Sequence, residues 1–401
     1  MFETAIAITG IGIFCAAGRD IPTFTAALRQ GESGIGPVEL FDVSGFPARI
    51  GAEVRGYDPR DRFDRKEATR LSRADQFAVI AAQEALSRSG ALAWYDSFDL
   101  GVSVGAGAAG MLHGEQWFKG ELEGRRKDPA LLAGLLPDRT ATVLANRFQL
   151  AGYQGSITTA CSSSATAIGW GADLVATGRV KAALCGGTDA LSLLTYAGFN
   201  SLRVVDPNPC APFSLGREGI SLGEGAAFLV LEREDEARQR GAAILGRIHG
   251  YAMTGEGYHM TAPEPTGSDA ARVMRYALEH AGVSCDSVGW VNAHGTGTPL
   301  NDVVETKGMK LVFGEQAPTV PLISTKGLTG HCLGAAGAIE ALATIIALDG
   351  GFIPRTLHFR GSDPDCDLEY CHAGLRESEA TVALSNSFAF GGNITTLVLG
   401  R

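Results

Sequence analysis

The chain has 401 residues, 45% of them hydrophobic and 19% charged, enough for two domains or one large layered body. Its formal net charge of −10 excludes general nucleic-acid binding and requires a local basic patch wherever an acidic partner docks. No apolar run approaches the ~20 residues that span a bilayer, and the eight cysteines lack disulfide-scaffold spacing, so a reduced, cytoplasmic setting without membrane contact is expected.

The first apolar stretch, residues 5–17, follows Glu3 rather than a basic residue and is interrupted by Gly10 and Gly12. It reads as a buried strand over 5–9 and a turn, not as a secretory leader. A helix is expected over 65–88, then a strand over 100–104 running into Gly105-Ala106-Gly107-Ala108-Ala109-Gly110. That is a literal G-x-G-x-x-G, but no second strand ends in an acid ~20 residues on, so a nicotinamide reading is set aside. A helix over 162–177, stopped by Gly178, precedes strands over 180–185 and 226–232. The charged stretch 232–240 reads as a connection between halves. Beyond it come a helix over 268–280, a strand over 290–293, a helix over 302–312 and a strand over 320–324. A helix over 333–347, stopped by Gly350, and strands over 382–386 and 395–399 complete the set. Short β-branched strands alternating with helices define an α/β protein with buried strands. Cys161 and His331 are each followed by small residues, an Ala-Ile pair and a helix that glycine ends. Both are expected at a helix start, in halves spanning 1–240 and 241–401.

An isolated cysteine is ordinarily a small buried hydrophobe. In Thr158-Thr159-Ala160-Cys161-Ser162-Ser163-Ser164, however, small residues lead into a helix start, where N–H groups and the macrodipole favour a thiolate. Two histidines occupy similar small-residue settings, in His294-Gly295-Thr296-Gly297-Thr298-Pro299 and Lys326-Gly327-Leu328-Thr329-Gly330-His331. A thiolate that accepts an acyl group and two imidazoles that manage charge on a carbon nucleophile are the parts of thioester chemistry. Cys366, Cys371 and His372 lack an evident fourth ligand and read as a loop, so no metal site is expected.

These segments, with Asn386-Ser387-Phe388-Ala389-Phe390-Gly391-Gly392-Asn393, resemble the β-ketoacyl-[acyl-carrier-protein] synthases, the decarboxylating condensing enzymes of fatty-acid and polyketide assembly. The resemblance runs from the first strand to Asn393. It implies a thiolase-like fold of two pseudo-duplicated α/β halves in a layered αβαβα arrangement. It implies Cys161 as nucleophile, His294 and His331 as donors to the developing enolate, and the N–H groups of Cys161 and Phe390 as the oxyanion hole. Lys326 would organise the histidines, with Glu340 as its charge partner and Asp302 in support. Thr296, Thr298, His259, Thr261 and Phe388 would line the pantetheine and substrate channel, with Phe390 as its gate. Ser214 stands where the family has Asp after Pro212-Phe213, which unsettles a structural contact there.

Within the superfamily, thiolase-like members use a second C-terminal cysteine, and none follows Arg376; initiating synthases usually carry Asn where His331 stands. The resemblance therefore implies elongation, with no redox cofactor or catalytic metal. The implied partner is an acyl carrier protein docking on Arg65, Lys66 and Arg70 and on Arg125, Arg126 and Lys127. A homodimer, or a heterodimer with a ketosynthase-like chain-length partner, is expected. Two other readings stay open: an acyltransferase or thioesterase-like member of the same fold, and a mainly structural subunit of a heterodimeric synthase. The service, fatty-acid or polyketide (including aryl-polyene), is also open.

Overall fold

The computed structural model describes residues 5–125 and 128–401; Arg126 and Lys127 of the second expected docking segment lie outside them. Ten strands form one sheet: β1 (Ile6–Cys15), β2 (Leu100–Gly105), β3 (Gln154–Ile157), β4 (Ala182–Asp189), β5 (Gly225–Arg233), β6 (Gly246–Gly255), β7 (Trp290–Asn292), β8 (Leu322–Ile323), β9 (Val382–Phe388) and β10 (Asn393–Gly400). Their order across the sheet is β3-β2-β4-β5-β1-β6-β10-β9-β7-β8. Outward from the antiparallel β1–β6 seam, the last five strands repeat the order and sense of the first five. In each set the outer two pairings are parallel and the inner two antiparallel.

Five helices complete the layers: α1 (Arg73–Ser89), α2 (Ser163–Ala176), α3 (Ser268–Ala281), α4 (Pro299–Phe313) and α5 (Ala336–Asp349). α2 and α5 pack together in the interior, and α5 is buried at every position from Ala336 to Leu348. A helix apolar at nearly every position, with Glu340 its one buried charge, has no other stable place. α1 lies on β1 and β5, while α3 lies on β6 and β10. β1 therefore sends Ile11 and Ile13 into the central core and Phe14 into the core under α1. This is the layered αβαβα arrangement expected of the fold.

Several elements depart from the sequence reading. The strand expected over 5–9 continues to Cys15, straight through Gly10 and Gly12. Those glycines are not turn residues: a Cβ on Gly12 would sit 2.1 Å from the Ala81 carbonyl oxygen, so the strand needs them for α1 to lie close. The helix expected over 65–88 breaks at Leu71 and Ser72 into Arg65–Arg70 and α1. Ser72 and Asp75 exchange side-chain-to-backbone hydrogen bonds of 3.1 Å, a capping box that starts the second helix afresh. The connection expected over 232–240 is a short helix, Glu234–Gln239, fastened by the buried Arg240–Glu232 pair at 2.5 Å.

The internal repeat is real in shape but differently registered. α2 and α5 are each 14 residues long and follow a three-residue 3-10 turn, Ala160–Ser162 or Leu333–Ala335. The first residue of each turn is left-handed, φ 49° at Ala160 and 48° at Leu333. Cys161 thus corresponds to Gly334, not to His331. His331 lies five residues before α5, held by its N–H on the Ser221 carbonyl at 2.7 Å and by its carbonyl accepting from Gly223 at 3.0 Å.

Candidate active site

Cys161 sits in the turn that opens α2 and is 7% exposed. The serines after it are occupied with structure. Ser163 Oγ donates to the Ala160 carbonyl at 2.6 Å, and Ser164 Oγ accepts from the Ala338 N–H of α5 at 2.9 Å. They brace the turn against the other half of the molecule, leaving the thiol as its reactive group.

His331 Nε2 lies 3.1 Å from Cys161 Sγ, and the ring of His294 stands 5.3 Å from that of His331 at 83°. Two strand ends deliver this pair: His294 follows β7, and His331 follows the short helix Lys326–Thr329 after β8. Behind them Lys326 Nζ lies 3.3 Å from His294 Nδ1, donates to the His294 carbonyl at 2.5 Å and forms a buried ion pair with Glu340. Lys326 and Glu340 are each 1% exposed. Glu305, which the sequence reading missed, clamps the loop: its carboxylate accepts the His294 N–H at 2.8 Å and the Gly295 N–H at 2.6 Å.

Charge states follow from burial. Desolvation pushes the Cys161 thiol up to about 12, against the Lys326 charge and the Phe390 N–H, which favour thiolate. Burial thus opposes the thiolate that the helix start is expected to favour. Both imidazoles are held well below the usual histidine range, first by burial and then by Lys326. The resting site pairs a neutral thiol with neutral histidines.

These groups form the floor of a cavity of about 350 Å³ whose walls include Phe199, Leu202, Ile220, Met260 and Phe388. Of the expected channel residues, Thr296, Thr298, His259, Thr261, Phe388 and Phe390 all line it. Thr296 and Thr298 share a hydroxyl contact of 2.9 Å, and His259 Nδ1 accepts the Thr261 N–H at 3.1 Å. Phe390 stacks on Phe199 with centroids 5.9 Å apart, while its N–H faces the Cys161 sulfur. Asp302 lies outside the cavity. It accepts from the Phe213 N–H at 2.7 Å and the Gly297 N–H at 3.2 Å and pairs with Arg217 at 3.4 Å, so it shapes the His294 loop. Ser214 accepts the Arg360 N–H at 2.6 Å and donates to the Gly361 carbonyl at 3.2 Å.

Arg65, Lys66, Arg70 and Arg125 are exposed. Arg125 is paired with Glu123, whereas the first three show no ion pair among the described residues. The G-x-G-x-x-G stretch holds an internal anion: the N–H groups of Gly107, Ala108 and Ala109 all donate to the Asp189 carboxylate, which fills the place a phosphate would need. No group of three metal-ligating side chains occurs among the described residues, and His372 stacks on Phe359 with centroids 4.1 Å apart.

Comparison with known proteins gives one picture. Residues 3–237 match the family described as "Beta-ketoacyl synthase, N-terminal domain", and residues 245–360 match "Beta-ketoacyl synthase, C-terminal domain". The 3-oxoacyl-[acyl-carrier-protein] synthase 2 of Synechocystis sp. is 38% identical over 99% of this chain and 98% of that protein. Among solved structures, the ishigamide ketosynthase/chain length factor superposes with a TM-score of 0.94 at 33% identity, covering 99% of each chain. A type II polyketide synthase acyl-carrier protein in complex with its ketosynthase, bound to the hexaketide, contains a chain that superposes with a TM-score of 0.89 at 27% identity, again over 99% of each. With a family match along most of its length and a fold shared nearly end to end, this chain belongs to the beta-ketoacyl synthase family.

Proposed function

We propose that the protein catalyses a two-stage Claisen condensation, with the first half (1–240) carrying the nucleophile and the second (241–401) both histidines. Cys161 Sγ attacks an acyl thioester on a carrier protein; the carrier thiol leaves, and the Cys161 proton passes through His331. Malonyl-carrier protein then loses CO₂, and its electron pair becomes an enolate whose oxygen accepts hydrogen bonds from His294 and His331. The enolate carbon attacks the acyl-Cys161 carbonyl, whose oxygen sits on the Cys161 and Phe390 N–H groups. The C–S bond breaks, the sulfur regains a proton drawn from solvent by way of His331, and a 3-oxoacyl-carrier protein leaves. Lys326, paired with Glu340, orients the histidines from behind.

The observation that carries this reading is the 3.1 Å contact between Cys161 Sγ and His331 Nε2 at the base of an apolar cavity, with His294 beside it. Pairing with a chain-length partner, or with a second copy, is part of the proposal, in keeping with the ketosynthase/chain length factor likeness. So is a reducing, cytoplasmic setting, which suits eight free thiols. The test supplies acyl-carrier and radiolabelled malonyl-carrier protein and follows CO₂ and 3-oxoacyl product, with Cys161→Ala as control. Product from the parent and no acyl adduct on the variant are expected. Acyl transfer or hydrolysis without CO₂ release would point instead to a nonelongating acyltransferase.

A further inference from the structure

Asp189 ends β4 fully buried, and the catalytic scheme above makes no use of it. Four backbone N–H groups from two distant segments converge on its carboxylate. Gly107 donates to Oδ2 at 2.9 Å and Gly334 to the same oxygen at 2.6 Å, while Ala108 and Ala109 donate to Oδ1 at 2.8 and 2.5 Å. The first segment follows β2 in the first half; the second is the turn three residues past His331 in the other half. Both are wound tightly around the carboxylate, with left-handed φ of 37° at Ala109 and 48° at Leu333. A Cβ on Gly334 would meet the Gly107 nitrogen at 2.4 Å and Asp189 Oδ2 at 2.8 Å, so the two backbones touch across the carboxylate.

We infer that Asp189 is a positioning residue for the condensation: its carboxylate ties the 105–110 loop to the Leu333 turn and thereby sets His331 against Cys161. The turn needs such an anchor. Cys161 belongs to the first half and His331 to the second, so their 3.1 Å contact is only as constant as the join between halves. An anion satisfying four converging donors strengthens that join beside the Ser221 and Gly223 bonds to His331, because any shift of the turn leaves buried N–H groups without a partner. The anchor also acts on the thiol. Its negative charge is among the groups that raise the Cys161 pKa, so Asp189 favours correct placement while opposing thiolate formation. Burial raises Asp189 itself to about 6, and the four N–H groups hold it down, so it is ionised above neutrality.

This inference rests on the condensation proposed above. Asp189→Asn preserves shape, but it removes the charge and turns an NH₂ group towards N–H donors. The expected variant is folded by circular dichroism, with unchanged KM for carrier substrates and a kcat for condensation about 10²-fold lower, the cost of misplacing a reacting group by about 1 Å. Alkylation mapped to Cys161 among the eight thiols should move the other way. Its pH profile shifts down by about one unit, tenfold in rate at fixed pH, because a like charge has gone. That profile reads the lost charge, whereas a lowered kcat at unchanged KM reads the lost placement. A parental kcat, or a parental alkylation profile, overturns the inference. If labelling of all eight cysteines shows that Asp189→Asn is unfolded, Asp189→Glu decides: it keeps the charge and displaces the turn, so a lowered kcat with a parental alkylation profile is expected, and parental kcat overturns. Failure of the parent chain to release CO₂ would instead sink the proposed reaction, and the alkylation profile of Asp189→Asn would then decide the anchor alone.

Discussion

The pKa of the Cys161 thiol is raised chiefly by desolvation, while Lys326 favours its thiolate and the carboxylates of Asp189 and Glu340 oppose it. A thiol that rests protonated must lose its proton during attack, and the imidazole in contact with it belongs to His331. The two histidines are therefore expected to differ. His331→Ala should slow acylation of Cys161 more than His294→Ala does, as read by intact-protein mass spectrometry. Both should lower CO₂ release from malonyl-carrier protein by about 10²–10³-fold, the usual cost of one lost donor to an oxyanion. Full decarboxylation in either variant would remove that histidine from the scheme. Lys326 makes a different prediction. Lys326→Met leaves Glu340 buried and unpaired, which costs about 3–5 kcal/mol by urea denaturation. The cost depends on pH. Burial already raises Glu340 to about 7, above its unfolded value, so the folded variant binds a proton more tightly than the unfolded chain. Its stability is then fully present in acid and lost as pH rises through neutrality. Lys326→Met with Glu340→Met should recover most of the loss, and an unchanged urea midpoint in the single variant would show that the pair is not buried in solution.

The elements that carry these residues were unevenly legible, for reasons that differ from strand to strand. β5 carries a continuous apolar run over 226–231 and β9 opens on Val382-Ala383-Leu384, and buried apolar runs of this kind stand out in a sequence. β6 was missed because Arg247, His249 and Gly250 interrupt it, although its burial alternates from Gly246 to Tyr251 as a half-buried strand should. β3 is a four-residue edge strand with no fully buried position, too short and too polar to signal itself. Cys161, His294 and His331 were readable because glycines and small residues mark their turns, whereas Glu305 and Asp189 act on backbone N–H groups that only folding brings near. The glycines of β1 misled, since they punctuate helix packing rather than a turn. Gly12→Ala forces a methyl group against the Ala81 carbonyl at 2.1 Å and the Ala85 nitrogen at 2.7 Å. Overpacking of that kind costs about 1–3 kcal/mol, and backbone atoms cannot swing aside, so the upper end is expected. A urea midpoint within error of the parent would mean that α1 does not lie on β1 as described.

Across the whole molecule, a net charge of −10 opposes the approach of any acidic partner, yet the proposed substrates arrive on an acyl carrier protein, acidic in this family by the resemblance. The Debye length of about 8 Å at physiological salt resolves the conflict: the carrier experiences the surface it is about to touch, not the distant total. Arg65, Lys66 and Arg70 share one short helix and have no ion pair among the described residues, while Arg125 is paired with Glu123 and presents less free charge. Steering should therefore depend chiefly on the first group. Reversing Arg65, Lys66 and Arg70 to Glu is expected to lower the association rate of the carrier by about 10- to 100-fold at low salt and by much less at high salt, where steering is screened. Reversing Arg125 alone should change it less. Because no bond-making group is altered, KM should rise for carrier-bound thioesters and stay constant for carrier-free pantetheine thioesters, which enter the same cavity without docking. Stopped-flow association at two salt concentrations, beside steady-state kinetics with both substrates, reads all of this. Equal association rates for parent and triple variant at low salt would move the docking surface elsewhere, and a KM that rises for both substrates would place the effect in the cavity instead.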